Sequence, residues 1–521
     1  MAAIPLKVPV KVETAPSKED AKLRDRIAGS LSQEVVIAVV GYAGSGTGYV
    51  ARTFQHKLNE DGFDPRIVKA TDVLKAWAKQ VGQPLPNDLT PPIEKVESYQ
   101  NIGDGLRQSS GEYGIVAGWL AEMVHVARKE KNTDGKPQVF ILDSLKHPAE
   151  VELLRQIYGD GFRLIGVGCR PDVRQKRLEV KLKTQQGNSD VKDLIDRDAE
   201  DSIHDYGQQV NKTFHLADYF LDNTVEATNS EAFELPDLVQ DVFEKLFTRI
   251  THHPTREEQG LYFADAAAMG SACLSRQVGA AIFDENGNLL ATGRNDVPKA
   301  AGGLYDDRDA SNKEGHCYLR GKCSNKVYQT SIIDDIVDMF GKDGLPTLGD
   351  HVDTLRKALK KTRMGSLLEF SRSVHAEMDA IVSLARTGTQ LPPNSTLYTT
   401  TYPCHNCARH IVAAGIKRVV YLEPYTKSLA VDLHDDAIAE NLPDNEVKGR
   451  VRFDPYQGVA PRLYQTVFRQ MGERKDASGH ALEAEAGRML RSRLLTATFD
   501  GLEGMCSEFV QEQKAIHDKQ N

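Results

Sequence analysis

Four side chains in the second half of this 521-residue chain have types and spacing that could do chemistry: His375, Glu377, Cys404 and Cys407. One imidazole and two thiolates form a donor set suited to zinc. Three protein ligands leave the fourth position of a tetrahedral ion open, and an ion held in that way lowers the pKa of a coordinated water to about 7. Cys404 and Cys407 stand three apart at the start of a predicted helix, so their sulfurs share one side and the helix N-terminus favours their deprotonated forms. Pro403 suits the first turn of that helix. Glu377, two residues beyond the imidazole, is expected as a proton shuttle and not as a ligand: it moves a proton from the attacking water to the group under attack and to the group that leaves. The competing arrangement is a closed structural site, for which His405 or His410 would supply a fourth ligand.

These residues must be held by regular elements, and the pattern supplies them. A helical stretch from Leu261 leads into QVGAAIFDENGNLLATG, which reads as a hairpin turning at Glu285-Asn286-Gly287-Asn288. Residues 296–330 are rich in Gly, Asp and Lys and read as a long loop, followed by a helical stretch to about Leu384 that carries His375 and Glu377. STLYTTT predicts a strand, CHNCARHIVAAG a helix and KRVVYLE another strand. Upstream, EVVIAVVGYAGSGTGYVARTFQHKL predicts strand, Gly-rich loop and helix, and short apolar runs near Ile141 and Ile165 follow further helical segments. That alternation predicts a parallel α/β sheet. The expected organisation is a flexible arm over 1–30, a first α/β domain over 31–250 and a second over 251–521. The second would carry an insertion at 296–370 and an extension at 440–521, and the boundary falls at THHPTREEQG.

The pairing of His-x-Glu with Pro-Cys-x-x-Cys is the signature of zinc-dependent nucleobase deaminases. Residues 261 to about 440 resemble the deoxycytidylate deaminase family of the cytidine deaminase superfamily, through CLSRQVGAAIFDENGNLLATGRN, HAEMDAIVSLARTG, LYTTTYPCHNCARHIVAAGIKRVVYLEPY and LHDDAI. The resemblance implies a mixed five-stranded sheet with helices on both faces and zinc-dependent hydrolysis of a deoxycytidine nucleotide. It further implies that Asn295 meets the sugar, that Tyr402 lines the base pocket, and that sites lie near the subunit interfaces of a homo-oligomer. Asp379 stands where the family usually has Asn. A second, structural zinc is implied by Cys273, placed before the first strand as in phage-type members, with His316, Cys317 and Cys323 in the insertion GHCYLRGKC. For the phosphates, cations are required, and Arg276, Arg372 and Lys427 are the candidates.

In the first domain Gly41, Gly44, Ser45, Gly46, Thr47 and Gly48 occupy the place of a phosphate-binding loop. Thr47 stands where Lys is required and Gly48 where Ser or Thr would hold magnesium, so phosphoryl transfer is not expected; backbone N–H groups are still offered to a phosphate. Asp143, Arg170, Arg174, Arg177 and HLADYFLDN resemble small-molecule kinases, which implies a kinase-like fold kept for sensing a nucleotide or binding a regulatory partner. A dinucleotide-binding unit using Glu60 or Asp61 is an alternative, as is a loop that binds nothing. As a whole the chain resembles bacterial anti-phage dCMP/dCTP deaminases. That likeness implies draining of the deoxycytidine nucleotide pool during infection, with a nucleotide effector or inhibitory RNA acting at the first domain.

Composition weighs on the remaining readings. A formal charge of −9 and the absence of a basic, aromatic-rich stripe count against a tRNA- or single-strand-editing deaminase. The intact Glu377 counts against a non-catalytic nucleotide-sensing regulator. Seven cysteines, five of them between residues 273 and 407, point to metal and not to a disulfide framework. No apolar run approaches a membrane span and no secretory signal is visible, so the expected location is the cytoplasm without membrane contact.

Overall fold

The computed structural model describes residues 34–129, 136–185, 187–201, 204–224, 235–247, 253–306, 315–342, 351–425, 428–440, 442, 446–469, 475–480 and 496–520. The expected arm over 1–30 lies outside the described residues. The chain divides into two compact units, one reaching to His253 and resuming at Gln457, the other Pro254–Tyr456.

The first unit is built on five parallel strands, β1 (Val35–Gly41), β2 (Asp64–Lys69), β3 (Gln138–Leu145), β4 (Phe162–Gly168) and β5 (Tyr219–Asp222). A short strand, Gly458–Val459, joins the edge antiparallel to β5, and the spatial order runs from that strand through β5, β4, β1 and β3 to β2. β1 reads VVIAVVG and is buried along its whole length, as suits a central parallel strand covered on both faces. Its residues Val35, Ile37 and Val39 share a core with Val50, Ala51, Phe54 and Leu58 of α1 (Thr47–Glu60). Helices α2 (Ile115–Lys129), α3 (Pro171–Leu182) and α4 (Ser189–Ala199) follow in the same unit. Glu60 ends α1 and Asp61 follows it, neither at the end of β2, which removes the dinucleotide-binding alternative.

The second unit holds α5 (Arg256–Ala268), the hairpin β6 (Gly279–Phe283) and β7 (Leu289–Arg294), α6 (Ala376–Thr387), β8 (Thr396–Thr401), α7 (His405–Ala414), β9 (Arg418–Glu423), β10 (Ile438–Glu440) and β11 (Val451–Pro455). The sheet order is β10-β11-β9-β8-β6-β7, with β6 antiparallel to both neighbours and the other pairs parallel. Alternation along β6 sends its two residue sets to opposite faces. Ala280 and Ile282 share a core with Ala376 and Ala380 of α6. Gly279 faces α5 so closely that a Cβ there would stand 1.8 Å from the Ala264 carbonyl oxygen. Helices therefore cover both faces, as expected. The sheet has a sixth strand beyond the expected five, the three-residue β10 on the edge of β11. The insertion is less open than its composition suggests: a helix begins at Ser324 and runs to Lys342.

The C-terminal segment departs from expectation. β10 and β11 complete the second sheet, but from Gln457 the chain packs on the first unit. Val459 pairs with Tyr219, Ala460 N donates to the Asp218 carbonyl at 2.9 Å, and α8 (Thr496–Gln520) packs on α2. Phe499 meets the ring of Tyr158 edge-on at 5.4 Å, and buried Glu503 accepts from Tyr158 Oη and Arg128 Nη2, each at 2.7 Å. The physical reason is an edge: β5 would otherwise present unpaired backbone groups to solvent. Among the described residues no helix is long and apolar enough to cross a membrane.

Candidate active site

Two helix N-termini deliver the reactive residues to one point. His375 is the N-cap of α6, with extended backbone (φ −78°, ψ 155°), and Cys404 is the N-cap of α7 in a like conformation (φ −69°, ψ 164°). α6 is seated by Gly293 of β7, where a Cβ would lie 2.2 Å from the Ala376 carbonyl oxygen and 2.4 Å from Ala380 N. Only glycine permits that approach, and the approach fixes the height at which His375 and Glu377 emerge. Cys404, Cys407, Ala408 and Ile411 belong to the same core as Ala376 and Ala380, so the two helices are positioned by one packed layer.

Cys404 Sγ and Cys407 Sγ each lie 3.3 Å from His375 Nδ1. Cys407 Sγ donates to Glu377 Oε2 at 3.3 Å, and the Glu377 side chain is buried. The hydrogen bond from Cys407, helped by the imidazole, holds the Cys404 thiol down to about 4. The hydrogen bond between His375 and Cys404 raises His375 to about 8, while the bond between the two cysteines and burial push Cys407 well up. Burial raises Glu377 above the usual carboxylate range. The three ligand atoms lie within 4.8 Å of one another, close enough to share one cation. Neither His405 nor His410 joins the set among the described residues; His410 Nδ1 is 2.6 Å from the Asn406 carbonyl. The closed four-ligand alternative therefore finds no support.

His375, Cys404 and Glu377 open on a cavity also lined by Arg276, Asn295, Tyr402 and Tyr425. Asn295 is buried at the strand end: its Nδ2 donates to the Arg276 carbonyl at 2.8 Å and its Oδ1 accepts from Val278 N at 2.7 Å. Tyr402 packs edge-on against Tyr421 at 4.8 Å, and its hydroxyl donates to Glu440 Oε2 at 3.3 Å. Arg276, half exposed at the rim, pairs with the Glu423 carboxylate. Arg372 does not line the cavity; its guanidinium reaches the Cys317 thiol instead. Lys427 lies outside the described residues. Asp379 Oδ2 accepts from Arg294 N at 3.1 Å and stays outside the ligand set, tying α6 to β7.

The other cysteines are neighbours without converging. Burial raises the Cys317 thiol, with Cys273 and Cys323 close enough to add to the effect, but these sulfurs and His316 do not gather as the first trio does. His316 Nδ1 is 3.1 Å from Asp296 Oδ1, which commits it elsewhere. Sequence reasoning missed that aspartate. Asp296 is buried, accepts from Ala272 N at 3.2 Å and Val297 N at 2.8 Å, and its only signal was its place directly after Asn295.

In the first unit the Gly-rich loop joins β1 to α1, with Gly44 and Gly46 in left-handed backbone at φ 84° and 88°. Gly46 is the N-cap of α1, Ser45 is fully buried, Thr47 bonds to Asp143, and Gly48 lies beside the Asp143 carboxylate. Gly41 ends β1, and its carbonyl accepts from Lys146 Nζ at 3.2 Å.

Residues 255–423 match the family model of the cytidine and deoxycytidylate deaminase zinc-binding region. The deoxycytidylate deaminase of Enterobacteria phage T2 is 32% identical over 170 residues, which is 32% of this chain and 80% of that protein. Among solved structures, dCMP deaminase from the cyanophage S-TIM5 is 19% identical and covers 39% of this chain and 99% of its own, with a TM-score of 0.22. Shikimate kinase from Acinetobacter baumannii is 14% identical and covers 41% and 93%, also with a TM-score of 0.22.

Proposed function

This chain belongs to the deoxycytidylate deaminase family, and from that premise we propose that its second unit hydrolyses the 4-amino group of a deoxycytidine nucleotide, dCMP, dCTP or both, to the deoxyuridine nucleotide and ammonia. The observation that carries this reading is the meeting of His375, Cys404 and Cys407 beside the buried carboxylate of Glu377, with His375, Cys404 and Glu377 lining a cavity. His375 Nδ1, Cys404 Sγ and Cys407 Sγ are the atoms that would hold zinc, and a histidine with two thiols fits that ion. Zinc held there supplies the Lewis acidity that makes water a nucleophile near neutral pH.

The chain's own residues do the rest. Glu377 accepts a proton from the attacking water and delivers it to N3 of the cytosine ring, then takes the proton of the new hydroxyl on C4 and delivers it to the departing amino nitrogen, so that water and base give the uracil and ammonia. Its burial suits this, because a carboxylate kept from bulk water exchanges protons with the substrate and not with solvent. Tyr402, held by Tyr421 and Glu440, forms a fixed wall for the base. Asn295 shapes the strand end on which the sugar would rest, and Arg276 at the rim is the cation available to a phosphate.

Three further elements belong to the proposal. Cys273, His316, Cys317 and Cys323, neighbours that do not converge by themselves, would close on a second, structural zinc when it is bound. The first unit regulates the second by sensing a nucleotide effector or by binding an inhibitory RNA. The enzyme acts as a homo-oligomer that depletes the deoxycytidine nucleotide pool in anti-phage defence. The test is a chromatographic assay of the purified full chain against dCMP, dCTP, CMP, CTP and deoxycytidine, with and without nucleotides and cellular RNA. Deoxynucleotide conversion that responds to an effector supports the reading. Turnover restricted to single-stranded nucleic acid would replace it with an editing function.

A further inference from the structure

The Gly-rich loop of the first unit is occupied by a carboxylate of the chain itself. Asp198, near the end of α4, is 3% exposed. Its Oδ2 accepts from Ala43 N at 2.7 Å, and its Oδ1 meets Lys146 Nζ at 2.8 Å. A loop N–H group and an ammonium are the partners that a phosphate oxygen takes at such a turn.

The surroundings ask for more negative charge than one carboxylate supplies. The Ser45 hydroxyl, fully buried and turned in toward Gly41, makes no hydrogen bond. Arg174 of α3 lies over the Tyr42 ring at 4.7 Å, and its Nε and Nη1 are shielded from solvent without an acceptor. A shielded guanidinium with unmet donors is costly unless an anion completes it. α3 also presses on the loop, since a Cβ at Gly44 would stand 2.6 Å from the Arg174 carbonyl oxygen.

Resting on the reading that the first unit senses a nucleotide, we propose that Asp198 is a built-in competitor for the loop, and that a phosphate-bearing small molecule binds by displacing it and lifting α4. Lys146 and Ala43 N–H then pass from the carboxylate to the phosphate oxygens, and Arg174 gains an acceptor in them. Binding is without phosphoryl transfer, because Thr47 and Gly48 stand where the lysine and the metal-holding hydroxyl would be.

A site that is self-occupied most of the time binds more weakly by the fraction of time it is open. Asp198→Asn keeps the shape and an acceptor for Ala43 N–H but removes the charge, so it should tighten binding about 10- to 100-fold. The experiment is calorimetric titration of the full chain, wild type and Asp198→Asn, with ATP, dTTP and inorganic phosphate. Amide hydrogen exchange over 189–199 is followed in the wild type, a readout that needs no variant. Expected are tighter triphosphate binding by the variant and faster exchange of α4 when wild type is saturated. The same pattern with inorganic phosphate alone supports displacement and names free phosphate as the ligand. Equal affinities with unchanged α4 exchange overturn the competitor while nucleotide sensing stands. If neither protein binds any of the three, both fall.

Discussion

The carboxylate of Glu377 lies 3.3 Å from Cys407 Sγ, on the first turn of the helix that begins at His375. A base so placed reaches the ligand set and a substrate in the cavity without a flexible arm, which is why two residues of spacing matter. Tyr402→Phe removes one hydrogen bond to Glu440, which retains Tyr421, so the expected loss is about 1 kcal/mol in a urea melt with kcat nearly unchanged. Tyr402→Ala removes the ring as well and should cost about 3 kcal/mol or more along with activity. Zinc analysis of the purified chain should return two equivalents, falling to one in Cys317→Ser with deamination retained. One equivalent in the wild type would remove the second site.

Gly293 shows how elements set the chemistry. Its Cβ-free backbone lets α6 settle on β7, so Gly293→Ala forces a clash with the helix backbone at 2.2 Å and displaces the turn that carries His375 and Glu377. The expected result is a loss of about 1–3 kcal/mol in a thermal melt and a larger fall in kcat than in substrate affinity. An unchanged kcat would mean that the helix position is set elsewhere. The active-site elements were legible because their signals are local: His-x-Glu on a helix start, Pro-Cys-x-x-Cys after a strand, and a hairpin turning at Gly287. The direction of Arg372 was not legible because it depends on packing: the residue stands beside the Cys317 thiol and outside the cavity lining. The Gly458–Val459 strand was illegible for another reason: two residues carry no period, and their partner Tyr219 is far upstream.

At the scale of the whole molecule, the chain leaves the first unit at His253 and returns to it at Gln457, so the second unit is inserted within the first. A chain ending at Tyr456 therefore loses part of its first unit and not merely a tail. It should show the first unit cleaved early in limited proteolysis, while 254–456 resists. Glu503→Ala probes the same dependence in the full chain: Arg128 and Tyr158 lose a buried partner, at a cost of about 3 kcal/mol to the first unit. Following dCMP through the zinc-loaded full chain and through Glu377→Ala at equal zinc content is the decisive test of deamination at this site. Expected are stoichiometric dUMP and ammonia from the wild type and a rate lower by about 10²- to 10⁴-fold in the variant. Zinc-loaded wild type that leaves dCMP and dCTP intact, or a variant that matches it, would contradict the account.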